Sequence, residues 1–256
     1  MTARTTQIVL ITGGAKGVGL GISRSFLARG AQVIITARNA PENPVEVDGN
    51  QAEFIAADIR DAEACKALLA DIAARHGRLD VLINNAGGSP FAMADAASPR
   101  FHEAIIRLNL LAPLNLAQGA NALMQQQDHG GVIINIGSVS ADRASPGTAA
   151  YGAAKAGLLN LTQSLAVEWA PKVRVAAVSP GPVLTEQAHL HFGDEAGIAA
   201  VASSIPMQRL AQPDDIGNAC VWLASDQAAY VSGSNIVING GGERPAFLDK
   251  ATVNKT

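Results

Sequence analysis

Tyr151 and Lys155 stand four positions apart in the small-residue stretch Tyr-Gly-Ala-Ala-Lys. On a helix this spacing places both side chains on one face, so that a phenol and an ammonium would meet the same ligand. A free tyrosine has a pKa near ~10, and a neighbouring cation favours its phenolate; lowering that pKa by about two units requires only ~2.7 kcal/mol. The pair is therefore a candidate for proton transfer, although the pattern alone also describes an ordinary pair on a helix surface.

Ser138 follows an apolar run and precedes Tyr151 by thirteen residues. Ligands of open parallel sheets bind at the carboxyl ends of the strands, so we expect Ser138 and Tyr151 to converge on one crevice. There Ser138 would orient a carbonyl oxygen while Tyr151 donates a proton to it. An acyl hydrolase with Ser138 as nucleophile is excluded, because residues 137–141 (Gly-Ser-Val-Ser-Ala) lack the Gly-x-Ser-x-Gly elbow and no Asp and His partners are placed.

A glycine-rich turn, Thr-Gly-Gly-Ala-Lys-Gly-Val-Gly, spans residues 12–19 between the first predicted strand and the first predicted helix. Its glycines allow a tight turn and let backbone N–H groups approach a pyrophosphate. Lys16 is followed by Gly17 and not by Ser or Thr, which excludes a Walker-type loop. The spacing also differs from Gly-x-Gly-x-x-Gly, and an ordinary strand-to-helix turn remains the alternative.

The end of the second predicted strand indicates which dinucleotide would bind. NAD-binding domains place an acid there to hold the ribose 2′-hydroxyl. No acid occurs from Ile34 to Asn39; Ala37 takes its place, Arg38 follows, and Lys16 lies in the glycine-rich turn. Either cation alone is typical of a solvated surface. Together with the missing acid they favour NADP, with its 2′-phosphate, over NAD.

Short Val- and Ile-rich runs alternate with segments of helical periodicity, a pattern typical of a parallel sheet covered on both faces. We predict seven strands, at Ile8–Thr12, Gln32–Thr36, Glu53–Ala57, Val81–Asn84, Val132–Ile136, Arg174–Ser179 and Asn235–Ile238. The predicted helices are Gly17–Arg29, Ala62–His76, Pro99–Met124, Tyr151–Trp169 and Pro213–Leu223. The fold class is thus α/β, a single doubly wound domain of Rossmann type. Prolines in residues 39–51 predict an irregular connection where a helix would normally cross.

Composition argues against several classes of partner, namely nucleic acids, membranes and metals. The 256 residues are 48% hydrophobic and 16% charged, with a net charge of −3, which suits one large core. With no basic stripe and no apolar run of about 18 residues, we expect neither nucleic acid nor membrane partners, and a cytoplasmic protein. Cys65 and Cys220 are far apart, and His189 and His191 do not share a helix face, so no metal site is predicted.

Several motifs occur together in one order: the glycine-rich turn, Asn-Asn-Ala-Gly at 84–87, Ser138, Tyr151 with Lys155, and Pro-Gly-Pro at 180–182. In this order the chain resembles the short-chain dehydrogenase/reductases over roughly residues 6–242, and in particular their NADP-preferring carbonyl or 3-oxoacyl reductases. The joint set is far more specific than any single motif.

The resemblance implies roles for individual residues. Asp58 would contact the adenine, Asn85–Gly87 would line the central part of the cofactor, and Thr185 would bond the nicotinamide carboxamide. Asn109 matches a fourth catalytic residue, whose carbonyl in related enzymes holds a water beside the lysine. Val183 stands where the family commonly has Ile. The complete expected cofactor set is Gly13, Lys16, Gly17, Val18, Gly19, Arg38, Asp58, Ile59, Asn85, Ala86, Gly87, Tyr151, Lys155, Pro180, Gly181, Val183 and Thr185.

We therefore expect an NADPH-dependent oxidoreductase that interconverts a ketone, aldehyde or 3-oxoacyl group and its alcohol. An NAD(H)-dependent alcohol dehydrogenase of the same family and a non-catalytic NADP-binding regulator are the alternatives. We expect one domain over residues 1–256 with a substrate lid at about 185–212, and Phe91, Ser140 and Pro146 at the pocket. By analogy the protein would be a homotetramer or homodimer acting on a small molecule that the sequence does not identify.

Overall fold

The computed structural model describes residues 6–252 and contains a seven-stranded parallel sheet. In chain order the strands are β1 (Ile8–Thr12), β2 (Gln32–Ala37), β3 (Glu46–Val47), β4 (Asn50–Gln51), β5 (Glu53–Ala56), β6 (Val81–Asn84), β7 (Gly131–Ile136), β8 (Val173–Pro180) and β9 (Asn235–Ile238). The sheet order is β5-β2-β1-β6-β7-β8-β9, with every pairing parallel. The predicted doubly wound sheet is confirmed.

Helices cover both faces of the sheet. They are α1 (Gly17–Leu27), α2 (Ala62–His76), α3 (Pro99–Ile106), α4 (Ala112–Met124), α5 (Ala149–Trp169), α6 (His189–Phe192), α7 (Glu195–Ser204), α8 (Pro213–Leu223) and α9 (Phe247–Lys250). One core joins the sheet to α1 and α8 around Phe26 and Ile216. The other joins it to α2, α4 and α5 around Leu116 and Leu165. Because strands buried on both faces need apolar side chains at every position, the continuous Val and Ile runs specify this architecture.

A π-helical turn at Arg107–Leu111 separates α3 from α4, where the sequence predicted one helix from Pro99 to Met124. Its cause is Pro113, which cannot donate to the carbonyl four residues earlier and would clash with it in a regular helix. That carbonyl belongs to Asn109, so the chain widens around a candidate catalytic residue. The correction is one of local geometry, since the segment is helical on both sides.

The connection between β2 and β5 carries no helix in any of its residues, all of which the structure describes, as the prolines predicted. Instead of a wholly irregular loop, it contains the antiparallel hairpin β3–β4, with Asp48 and Gly49 at positive φ in the turn. An Asp-Gly pair is a favoured two-residue hairpin turn, which explains the difference from the predicted irregular connection.

The carboxyl ends of β1, β2, β6, β7 and β8 share one edge of the parallel sheet, and the candidate residues follow those ends. This edge is where doubly wound sheets bind ligands. Over residues 6–252, no helix combines the length and the apolarity needed to cross a membrane. The same residues hold no cluster of three His, Cys, Asp or Glu side chains suited to a metal.

Candidate active site

Tyr151 and Ser138 meet at the end of β7. Ser138 directly precedes a short 3₁₀ turn, and its hydroxyl accepts from the backbone N–H of Ser140 at 3.1 Å, which fixes its rotamer. Ser138 is also hydrogen-bonded to the phenol of Tyr151, near the start of α5. Burial raises the pKa of Tyr151 and the bond to Ser138 opposes that rise. The phenol is therefore protonated at neutral pH, as a proton donor must be.

Lys155 lies one turn further along α5, with only 3% of its surface exposed. Its Nζ is 5.6 Å from the centroid of the Tyr151 ring and donates to the carbonyl of Ile136 at 2.7 Å. Burial lowers the pKa of Lys155 to about 8. An ammonium held this close to the phenol would stabilise the phenolate once the proton has left. The helical spacing of four thus brings the two groups together as the sequence predicted.

Asn109 is completely buried in the π-helical turn, and its side chain fastens the loop after β6. Its Oδ1 accepts from the N–H of Gly88 at 2.9 Å, and its Nδ2 donates to the carbonyls of Gly88 and Ile105, both at 3.0 Å. A Cβ at Gly87 would lie 2.6 Å from Asn109 Oδ1 and 3.4 Å from Lys155 Nζ. Gly87 therefore lies between these two side chains, where only a residue without a side chain fits.

The glycine-rich turn is braced by the segment after β6. Thr12 Oγ1 accepts from the N–H groups of Asn85 and Ala86 at 3.0 and 2.9 Å, and Asn85 Nδ2 donates to the Thr12 carbonyl at 2.8 Å. Gly13 has a φ of +65°, and a Cβ at Gly19 would overlap the Gly13 carbonyl. The turn therefore requires glycine at both positions, and its backbone is open to a ligand.

The amino end of α1 faces the beginning of the expected lid. Lys16 is the N-cap residue, is exposed, and makes no side-chain capping bond. A Cβ on Gly17 would lie 3.5 Å from Thr185 Cγ2, and Glu186 accepts a hydrogen bond from the Gly17 N–H. Val18 is half-buried in the first turn. The residues expected at the pyrophosphate and at the nicotinamide are thus adjacent.

At the other end of the crevice, Arg38 is exposed directly after β2, and its charge lies close enough to Asp58 to lower the pKa of that carboxyl. The larger effect on this pKa comes from Arg60, whose guanidinium donates to both carboxylate oxygens of Asp58 at 2.6–3.2 Å. Together these cations lower the pKa of Asp58 to about 2. Ile59 is buried, and its carbonyl accepts from Cys65 Sγ at 3.3 Å. This end of the crevice holds two cations beside one carboxylate.

The segment after β8 leads into the expected lid. Pro180 ends the strand, and Gly181 donates to the Ile238 carbonyl at 2.9 Å. Val183 forms an isolated parallel bridge with Ala211, at the far end of the segment that carries α6 and α7. Residues 185–212 therefore project from a closed base as two short helices.

The residues expected at the pocket mouth fall in two neighbouring loops. Phe91 is 73% exposed and its ring lies against Gly147, where a Cβ would overlap it. Ala92 donates to the Gly147 carbonyl at 2.8 Å, which joins the loop after β6 to the loop before α5. Ser140 and Pro146 line an open cavity along the face of α5 that bears Gly152 and Ala156. Phe91 does not line this cavity, although its ring contacts Gly147, the neighbour of Pro146.

These features fit a dinucleotide: a glycine-rich turn held by the segment after β6, the amino end of α1 beside it, and cations at the end of β2, where the adenosine ribose would lie. Sequence reasoning missed four groups in the crevice, namely Thr12 Oγ1, the Ile136 carbonyl, Arg60 and Glu186. Arg60 was detectable, because it follows Asp58 by two positions. The other three depend on contacts between distant segments, for which the sequence carries no local signal.

Comparisons with known proteins agree with this geometry. The model of a family described as enoyl-(acyl carrier protein) reductase matches residues 13–243. The 3-oxoacyl-[acyl-carrier-protein] reductase of Escherichia coli is 34% identical over 238 residues, covering 92% of this chain and 96% of that protein.

Two solved structures are also similar to the chain. A short chain dehydrogenase from Bacillus anthracis has a TM-score of 0.82 at 32% identity, covering 92% of this chain and 95% of the other. The ligand-free aldohexose dehydrogenase of Thermoplasma acidophilum has a TM-score of 0.86 at 27% identity, covering 98% and 97%. A family match across most of the chain, together with relatives of this similarity, shows that the chain is an oxidoreductase and belongs to the short-chain dehydrogenase/reductase family.

Proposed function

We propose that the protein is an NADPH-dependent carbonyl reductase in which Tyr151 is the acid/base. The observation that carries the proposal is the meeting of three side chains: Ser138 hydrogen-bonded to the Tyr151 phenol, and the buried Lys155 ammonium 5.6 Å from the same ring. A pure cofactor-binding regulator has no need of this arrangement. We therefore favour an enzyme over a regulator.

In the proposed reaction the chain's own groups handle the proton. Ser138 donates a hydrogen bond that positions the substrate oxygen, and Tyr151 gives that oxygen its proton. Lys155 stabilises the resulting phenolate, because a positive charge within a few ångströms favours the ionised form. The Asn109 carbonyl, which Pro113 deprives of its usual helical donor, would hold a water that returns a proton towards Lys155. When bound, the nicotinamide supplies or accepts the hydride.

The preference for NADP rests on the end of β2. Ala37 replaces the acid that would hold a ribose 2′-hydroxyl, and Arg38 stands exposed beside it. Asp58 is the nearby carboxylate, and its bidentate pairing with Arg60 neutralises the charge that would otherwise repel a 2′-phosphate. Lys16 adds an exposed cation at the glycine-rich turn.

Two substrate classes have specific support. The similarity to the 3-oxoacyl-[acyl-carrier-protein] reductase favours an acyl thioester with a 3-oxo group. The structural similarity to an aldohexose dehydrogenase favours a sugar or another polyol, oxidised in the reverse direction, which matches the NAD(H)-dependent alternative. The exposed Phe91 at the mouth suits an apolar substrate, so we place the 3-oxoacyl or other ketone first.

A panel of ketones, aldehydes, 3-oxoacyl thioesters, sugars and alcohols, each tested with NADPH or NADP⁺ and with NADH or NAD⁺, tests the proposal at the nicotinamide absorbance. We expect turnover with the NADP pair, and Tyr151→Phe should lower it by about 100-fold or more while cofactor binding stays nearly unchanged. Turnover retained in Tyr151→Phe would reject Tyr151 as the proton donor.

Arg38→Asp tests the cofactor preference separately. It should reverse or flatten the ratio of the NADPH and NADH dissociation constants, because the variant exchanges a partner of the 2′-phosphate for an acid. Arg29→Asp, at an exposed position after α1, is the matched control for the change of charge. Equal affinities of the wild type for NADPH and NADH would contradict the proposed preference.

A further inference from the structure

Glu186 lies at the amino end of α1, beside the turn where a dinucleotide would bind. Its Oε1 and Oε2 accept from the Gly17 N–H at 3.1 and 3.2 Å, although the two residues are 169 positions apart. No motif of the sequence singles out Glu186, and the proposed reaction does not use it. The contact joins the first turn of the cofactor-binding helix to the first residues of the expected lid.

The helix end explains why a carboxylate is favourable there. The first N–H groups of a helix have no partner within the helix, and they carry partial positive charge. In α1 the N-cap residue Lys16 makes no side-chain capping bond, and the first turn contains no acid. Glu186 therefore caps the amino end of α1 from a segment distant in sequence. In α2 the same role falls to the local N-cap residue Asp61, which accepts from two backbone N–H groups.

The Gly17 N–H belongs to the group of donors that would hold a dinucleotide. In a glycine-rich turn that opens a helix, the pyrophosphate is bound by the first backbone N–H groups. Gly17, with its φ of +51°, is the first residue of α1, and its N–H is one of these groups. A carboxylate and a pyrophosphate are both anions, so they cannot use one donor together without strong repulsion.

We propose that Glu186 is an internal competitor of the cofactor: its carboxylate binds the Gly17 N–H in place of the pyrophosphate and is displaced when the dinucleotide binds. The inference rests on the proposed function only in requiring that a dinucleotide binds at this turn. It does not depend on the preference for NADP or on the identity of the substrate.

Displacement of Glu186 also moves the lid's first turn. Thr185, the residue expected at the nicotinamide, packs beside Gly17, and its Oγ1 accepts from the Gln187 N–H at 3.3 Å. On one side the chain is held by the Leu184 bond to the Ala211 carbonyl at 2.8 Å, and on the other by the buried Ala188. Only residues 185–187 lie between these two anchors. Cofactor binding therefore frees Glu186 and repositions Thr185 in one movement.

The test compares Glu186→Gln with wild type by calorimetric titration of NADPH, NADH and ADP-ribose. We expect the dissociation constants of all three to fall by about two- to fivefold, the range set by one charge at a helix end. The factor should be the same for all three, because they share the pyrophosphate; ADP-ribose lacks the nicotinamide and NADH lacks the 2′-phosphate. Glu195→Gln, an exposed acid of the same segment at the start of α7, is the control and should change the constants less.

Amide hydrogen exchange of the protein without cofactor provides the second readout. The peptide containing Gly17 should exchange faster in Glu186→Ala than in wild type, because alanine, unlike glutamine, has no oxygen that can accept from the Gly17 N–H. Unchanged exchange in Glu186→Ala would overturn the contact. Unchanged or weaker binding of all three ligands by Glu186→Gln, with normal binding by wild type, would overturn the competition and leave the proposed function intact. A wild-type protein that binds none of the three ligands would overturn both.

Discussion

At the scale of the residue, Lys155, which we propose stabilises the Tyr151 phenolate, has a cost in stability. The pKa of this buried amine is about 8, against an ordinary value of 10.5, because burial disfavours its charged form. Each pKa unit corresponds to about 1.4 kcal/mol, so keeping the ammonium at pH 7 costs the folded state about 3 kcal/mol. The hydrogen bond from Lys155 Nζ to the Ile136 carbonyl, at 2.7 Å, offsets part of this free-energy cost.

Lys155→Met should therefore be more stable than wild type at pH 7, by about 1–3 kcal/mol, while losing turnover. Between about pH 8 and 10.5 the unfolded wild-type chain holds more protons than the folded one, so wild type gains stability as the pH rises and the difference shrinks. Urea unfolding at pH 7, 8.5 and 10 measures this. The exposed Lys66→Met is the control, with an expected change within about 0.5 kcal/mol. A Lys155→Met protein that is less stable than wild type at pH 7 would show that the buried charge carries no net penalty.

At the scale of the element, the π-helical turn links a sequence feature to the site. Pro113 prevents regular helix at Asn109, and the buried Asn109 amide then fastens Gly88 in the loop after β6. Asn109→Ala leaves the Gly88 N–H without its acceptor and should cost about 1–3 kcal/mol of unfolding free energy.

The same variant should loosen the loop that carries Gly87, so we expect a raised cofactor dissociation constant as well. Asn121→Ala in α4 is the matched control, because Asn121 accepts a single bond of 3.2 Å, from Gln125. Its expected cost is below about 0.5 kcal/mol. Equal losses of stability in both variants would mean that the bonds to Gly88 contribute nothing specific.

The elements differ in how far the sequence predicts them. Most strands of the main sheet are Val- and Ile-rich runs that pair with similar runs, while the edge strand β5 is Glu-Phe-Ile-Ala. Local composition and tertiary packing agree, and all seven strands were predictable to within a residue or two. The hairpin β3–β4 consists of two residues on each side, too short for a hydrophobic period to show. The π-helical turn has the composition of an ordinary helix, so its only signal in the sequence is Pro113, four positions after Asn109.

The residues of the candidate site also differ in whether the sequence carries a local signal for them. Tyr151, Lys155 and Ser138 are placed by spacing along one helix and by the end of one strand, both of which are local properties. Glu186 and Gly17 are 169 positions apart. Their contact forms only when the folded sheet brings the segment after β8 close to the turn after β1. What the sequence predicts is therefore the set of groups attached to single elements, and what it misses is the set of contacts that elements make with each other.

At the scale of the whole molecule, the β9 edge of the sheet indicates self-association. Within residues 6–252, β9 pairs only with β8, so its other side presents backbone groups that no described strand pairs. Ile236 and Ile238 pack on the core, while Val237 between them is 44% exposed. Trp222 of α8, which packs against β9, is 39% exposed. An exposed edge strand with apolar neighbours is a favourable interface, and we propose that copies of the chain meet there to form the homotetramer that the family resemblance predicts.

Light scattering after size exclusion tests this assembly. Wild type should have about four times the 26.3 kDa mass of the chain. Val237→Lys should roughly halve that mass, because in a symmetric interface at this edge the introduced charge would face its own copy and repel it. Leu190→Lys, at a position in α6 that is 68% exposed, introduces the same charge in the lid and should leave the mass unchanged. An unchanged mass in Val237→Lys would exclude the β9 edge as an interface, and a wild-type mass of one chain would exclude the assembly itself.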